Sequence, residues 1–147
     1  MEELRKLSHA LVGPTQDETM GLIASLAKLL SDLSIVKDLE ICFNYCTYRE
    51  EEIEVGQKLV IYRIVQEQLN NILKHAEASK VTVELKKEAN YLQVIITDNG
   101  KGFDPSTKRN GIGLKNISNR AEIYNGIVEI ISSPGKGCKM KIIFTDL

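Results

Sequence analysis

The chain is short of several things, and each shortage closes off a class of function. It holds three cysteines among 147 residues, Cys42, Cys46 and Cys138. So sparse and odd a set fits a reduced interior better than a disulfide framework. Cys42 and Cys46 have no second pair, and His9 and His75 stand far from them in sequence. A zinc site of the usual ligand sets is therefore not expected. Charge of one sign is also missing: Lys+Arg number 19 against Asp+Glu 20. Nothing draws such a chain to a nucleic-acid backbone or an acidic lipid surface. No apolar run approaches the roughly 20 residues a membrane helix needs. The opening residues, MEELRKLSHALVGP, are charged and polar. No signal peptide is expected from them, and a cytoplasmic setting is. Two nucleotide fingerprints are absent as well, the G-x-x-x-x-G-K-[ST] phosphate loop and a G-x-G-x-x-G opening a helix. There is no internal repeat and no low-complexity tract.

The length suffices for one domain with a real core. Residues 2–12 carry Leu4, Leu7 and Leu11 on a helical stripe that Gly13-Pro14-Thr15 breaks. A second helix is expected over about 18–33, with Leu22, Ile23, Leu26, Leu29 and Leu30 at helical spacing. Residues 39–45 alternate with period two and read as a strand. The acidic link Arg49-Glu-Glu-Glu52 reads as a solvated turn, and a long helix follows over about 55–75. Strands are then expected at 81–85 and 92–97, joined as a hairpin through Ala89-Asn90. Residues 100–113 are too polar and glycine-punctuated for regular structure. A helix over 114–124, ended by Asn125-Gly126, precedes strands at 127–131 and 139–144. This order is not the alternation of a doubly wound parallel sheet. It predicts an α+β fold, a mixed and mostly antiparallel sheet with helices on one face, with the glycine loop between the two main helices.

Three features carry chemistry. Thr97-Asp-Asn-Gly-Lys-Gly-Phe-Asp104 puts a carboxylate at a strand end against two glycines. Alone this is as much a tight turn as a ligand loop. Asp98 at a strand end can accept from an exocyclic amine, which distinguishes adenine from guanine. Gly100 and Gly102 leave room for a base or ribose to approach the backbone. In the long helix Glu67, Asn71 and Lys74 fall at i, i+4 and i+7, on one face. A solvated helix face looks the same. Yet a carboxylate, an amide oxygen and an ammonium are also what a magnesium triphosphate needs, for orienting the attacking group, ligating the hard cation and meeting phosphate charge. Gly111-Ile-Gly-Leu114 precedes a helix, so its N–H groups can cradle phosphate, with Lys108 and Arg109 just upstream. Gly135-Lys-Gly137 is a hairpin turn or a fourth piece of the same site.

These pieces, in this order, resemble the ATP-binding domain of the GHKL superfamily, which includes gyrase-type ATPases, Hsp90, MutL and histidine kinases. Glu67-x-x-x-Asn71 resembles its N box. Asp98-Asn-Gly-Lys-Gly-Phe103, Gly111-Ile-Gly-Leu114 and Gly135-Lys-Gly137 resemble its glycine boxes. Tyr62-Arg-Ile-Val-Gln-Glu67, Asn71-Ile-Leu-Lys-His-Ala76 and Gly113-Leu-Lys-Asn-Ile117 with Arg120 are most similar to bacterial sensor kinases of the NarX/DesK type. The resemblance spans about residues 39–144. It implies a two-layer Bergerat sandwich, ATP and Mg2+ as ligands, and phosphoryl transfer to a histidine. It implies Glu67, Asn71 and Lys74 as catalytic residues, with Glu67 and Asn71 at the metal. It implies Asn71, Lys74, His75, Asp98, Gly100, Gly102, Phe103, Gly111, Ile112, Gly113, Leu114 and Cys138 around the nucleotide. Cys138 departs from the pattern, because relatives often carry threonine there.

Leu7-Ser-His-Ala-Leu-Val-Gly-Pro14 imitates a phosphoacceptor box, but only 62 residues separate His9 from Asn71. That span already holds a helix, a strand and most of the long helix. The resemblance therefore implies that residues 1–34 are the end of a dimerisation hairpin and its linker, and that 35–147 are the ATP-binding unit. The acceptor histidine would lie on a separate helix of the same or a sister chain, the whole protein would be a homodimer, and a response regulator would take the phosphoryl group. An ATP hydrolase, an anti-sigma-type serine kinase and a nucleotide-binding pseudokinase are the rival readings.

Overall fold

A computed structural model of the chain describes residues 21–106 and 112–145. The helix expected at 2–12, with His9, and the residues Lys108, Arg109 and Gly111 lie outside the described residues.

The first described element is helix α1, Leu22–Val36. Its Leu22, Leu26, Leu29, Leu30 and Leu33 are buried, as a period near 3.6 dictates for a face turned to a core. Strand β1, Glu40–Asn44, follows. Helix α2 runs over Val55–Asn71 and passes without a break into a π turn, Ile72–Ala76. Strands β2 (Lys80–Lys87) and β3 (Tyr91–Asp98) form the hairpin read from the sequence. Helix α3 spans Ile112–Glu122. Strands β4 (Gly126–Ser132) and β5 (Cys138–Thr145) close the chain.

The sheet has five strands in the order β1-β2-β3-β5-β4. Only β1 and β2 pair in parallel; the other neighbours are antiparallel. Period-two burial sets the layers. Val81, Val83 and Leu85 of β2, Leu92, Val94 and Ile96 of β3, and Met140, Ile142 and Phe144 of β5 all point to the helices. There they share one core with Ile61, Ile64, Val65 and Leu69 of α2 and Ile117 and Ala121 of α3. The result is the expected two-layer sandwich, a mixed sheet under helices.

Two expectations change. The acidic link is not a plain solvated turn: Glu50–Glu52 form a 3-10 helix. Helix α1 has no side-chain cap of its own, since its N-cap is Gly21. The Glu50 carboxylate supplies one from 27 residues away, accepting from the Ile23 N–H at 2.8 Å. Lys58 on α2 grips the same carboxylate at 2.8 Å. Glu50 thus ties α1 to α2. Its burial works against the charge, but Lys58 and the N–H groups of Ile23 and Leu22 outweigh this and hold its carboxyl below the usual range. The second change is that the long helix is not α-helical to His75; its last turn widens.

Candidate functional site

A cleft of about 1060 Å³ lies between the C-terminal half of α2 with its π turn, the loop after β3, and the start of α3. That is room for a ligand of nucleotide size.

Helix α2 contributes Glu67 and Asn71, one helical turn apart. The Asn71 amide donates through Nδ2 to Oε1 of the buried Gln68 at 3.3 Å. Its oxygen is therefore the atom left to serve as a ligand. Helix α3 crosses directly over it, and a Cβ on Gly113 would lie 2.6 Å from Asn71 Oδ1. Gly113 is thus a spacing requirement. On the same helix, Asn116 Nδ2 donates to Glu67 Oε1 at 3.3 Å. The first turn of α3 lies at the cleft where Gly113 and Leu114 line it, and the positive end of a helix dipole favours anions.

The π turn carries Lys74 and His75, both exposed and both lining the cleft. Ideal α geometry would stack Lys74 in a column with Glu67 and Asn71. The wider turn re-aims this segment, a device common at functional sites. Glu77 ends it in a left-handed conformation, φ 53°.

The loop after β3 is fixed on both sides. Asp98 is 5% exposed, and its Oδ1 accepts from the Gly100 N–H at 2.8 Å. Burial pushes the Asp98 carboxyl above its usual range, more than that N–H pulls it down. Asn99 faces the other way: its Oδ1 accepts from the N–H groups of Ser79 and Lys80, each at 2.9 Å. Lys101 N–H donates to the Ala76 carbonyl at 2.8 Å, which joins the loop to the π turn. Gly100 is not part of the lining; a Cβ there would sit 2.2 Å from the Ala76 oxygen. Its glycine allows close packing of loop on helix. Gly102, with φ 62°, and Phe103 do line the cleft. So does Cys138, which faces Asp98 across β3 and β5. Burial first, then the Asp98 carboxylate, pushes the Cys138 thiol up to about 11 against a hydrogen bond to Ser132. The side chain is a neutral thiol at neutral pH and no nucleophile.

The cleft thus gathers Glu67, Asn71, Lys74, His75, Asp98, Gly102, Phe103, Gly113, Leu114 and Cys138 from four separate stretches of chain. Ile112 opens α3. Lys101, Asn70 and Gln68 also line it and were not singled out from the sequence. Lys101 stood inside the quoted glycine motif and could have been noticed; Gln68 carries no sequence signal beyond its place beside Glu67. Among the described residues no group of three or more His, Cys, Asp or Glu could hold a metal. That donor set still fits Mg2+, which takes one or two protein oxygens and completes its shell from phosphates and water.

Comparison with known proteins places the chain in a family. Residues 56–146 match the family described as "Histidine kinase-, DNA gyrase B-, and HSP90-like ATPase". Over 130 residues the chain is 34% identical to the sensor histidine kinase LiaS of Bacillus subtilis, covering 88% of this chain and 35% of that one. The chain spans about a third of the length of the curated relatives it matches. Among solved structures, the blue-light activated histidine kinase of Erythrobacter litoralis EL346 superposes with a TM-score of 0.72 at 19% identity, over 85% of this chain and 42% of the other. The catalytic domain of histidine kinase ThkA superposes with a TM-score of 0.65 at 13% identity, over 84% and 90%. The chain belongs to the histidine kinase-, DNA gyrase B- and HSP90-like ATPase family, and it is homologous to the ATP-binding catalytic domains of sensor histidine kinases.

Proposed function

We propose that the chain binds Mg-ATP in this cleft and passes its γ-phosphoryl group to a histidine on a dimerisation helix. The observation that carries the reading is the convergence of Asp98, Asn71, Lys74 and the glycine-spaced start of α3 on one cleft. Asp98 accepts from the exocyclic amine of adenine, and the backbone at Gly102 lies under the sugar or base. Lys74, with the N–H groups of α3, meets the phosphates. Asn71 Oδ1 and Glu67 would hold the Mg2+ ion, which neutralises phosphate charge when bound. Glu67, kept in place by Asn116, orients the incoming imidazole and takes up its N–H proton. The bond from the γ-phosphorus to the bridging oxygen breaks, a phosphorus–nitrogen bond forms, and ADP leaves. Catalysis here is positioning and charge stabilisation.

By this reading, residues 35–147 carry the ATP site, α1 shares their core, and the residues before α1 connect them to the helix that bears the acceptor. Within the family we place it with NarX/DesK-type kinases, acting in the cytoplasm in a homodimeric protein that passes its phosphoryl group to a response regulator. Incubation with γ-labelled ATP, with and without a histidine-bearing dimerisation helix, tests it. Acid-labile label on the added helix is the expected result. Free phosphate in its place would make the chain a hydrolase, and absence of nucleotide binding would make it an interaction module.

A further inference from the structure

Ser132 ends β4 and takes no part in any motif that the sequence shows. Besides its bond with Cys138, its hydroxyl makes two that join separate parts of the site. It accepts from the Phe103 N–H at 3.0 Å and donates to the Gly137 carbonyl at 2.7 Å. Phe103 belongs to the loop after β3; Gly137 belongs to the β4–β5 turn. Strand register sets the rest. Ser132 pairs with Cys138, and Cys138 pairs with Asp98, so the three form one row across β4, β5 and β3. Two of that row line the cleft.

The loop and the turn are interlocked around this hydroxyl. Gly135 N–H donates to the Lys101 carbonyl at 2.6 Å. A Cβ on Gly102 would meet the Ser133 oxygen at 2.2 Å, and one on Gly137 would meet the Asp98 oxygen at 2.2 Å. Both glycines have positive φ, 62° and 69°. Backbone so closely apposed keeps its spacing only while its polar atoms are paired. Ser132 is the side chain that pairs two of them.

We propose that Ser132 is a positioning residue for purine selection: its hydroxyl holds the Phe103 segment at a set distance from the Asp98–Cys138 edge, so that the base meets Asp98 in register. This rests on the nucleotide reading above. Nucleotide affinity measured by calorimetry on the 147-residue chain tests it, using ATP and ITP, which lacks the exocyclic amine. Ser132→Ala should weaken ATP binding about tenfold, the scale of one or two lost hydrogen bonds. It should weaken ITP less, so the ATP/ITP ratio narrows. Ser132→Thr, which keeps the hydroxyl, should restore both. A merely structural serine would instead lower the melting temperature and weaken the two nucleotides equally. Parent-level ATP binding and ratio in a folded Ser132→Ala variant would overturn the inference and leave the nucleotide reading standing. No ATP binding by the parent chain would overturn both.

Discussion

At the scale of single residues, Asp98 and two glycines separate binding from folding. The Asp98 carboxyl titrates above its ordinary value of 3.8 because burial disfavours the charge. A raised acid favours the folded state when protonated, and that contribution fades as pH rises through the folded value. Asp98→Asn should therefore keep or raise the melting temperature, since its amide oxygen can still accept from Gly100. It should cost ATP about 1.5–3 kcal/mol of binding, the worth of a hydrogen bond to a charged group. In the parent chain, ATP affinity should fall on acidification at a pH above the usual carboxylate range. Calorimetry across pH, beside thermal melts, reads both. The glycines make an internal contrast. A methyl at Gly113 meets the end of the Asn71 side chain at 2.6 Å, which can swing aside. Gly113→Ala should melt no lower than the parent but bind Mg-ATP roughly tenfold more weakly, because Asn71 is displaced. A methyl at Gly100 meets the Ala76 backbone oxygen at 2.2 Å, which has nowhere to go. Gly100→Ala should lower the melting temperature itself, and equal melts for the two variants would contradict this division.

Elements are held to one another by few polar ties, and Glu50 is the clearest. It caps α1 from another part of the chain and pairs with Lys58 on α2. Loss of a helix cap costs about 0.5–2 kcal/mol. Glu50→Gln should sit in the lower part of that range, since the amide oxygen can still accept from Ile23 while the ion pair goes. The carboxyl is held below its ordinary 4.5, so its stabilisation is present above that value and is lost as pH falls through the folded value. Urea titrations at neutral pH and below pH 4.5 should then show a smaller acid-induced loss in Glu50→Gln than in the parent. An equal loss in both would remove Glu50 from the account.

For the whole molecule the question is where the folding unit begins. The resemblance divides the chain after residue 34, yet Leu22, Leu26, Leu29, Leu30 and Leu33 lie in the same core as the sheet. Full burial of a leucine is worth about 1.5–3 kcal/mol, and a domain's net stability is only about 5–15 kcal/mol. A chain shortened to 37–147 should be unfolded or insoluble, by far-ultraviolet circular dichroism and gel filtration. A folded, nucleotide-binding product would show instead that the unit stands without α1.

Element types were legible because their periods are strong: the leucines of α1 recur at helical spacing, β2 and β5 alternate strictly, and β3 does so but for the buried Ile95. The Asp98 loop, the Glu67–Asn71 pair and Gly113 stood out because acid, amide and glycine pieces that singly fit a turn or a solvated face occur together in an order that resembles one family. Cys138 could be placed by its motif, but the upward push on its thiol comes from burial first and then from Asp98 beside it, 40 residues away in sequence. The local sequence by itself determined which segments are helix or strand and which side chains are chemically able to hold a nucleotide. The tertiary structure alone decided that Glu50 caps a helix before it, that α2 widens into a π turn, that Gly100 serves packing, and that Ser132 binds loop to hairpin. The cap, the packing at Gly100 and the Ser132 tie depend on groups brought together from distant parts of the chain, and periodicity carries no information about such contacts.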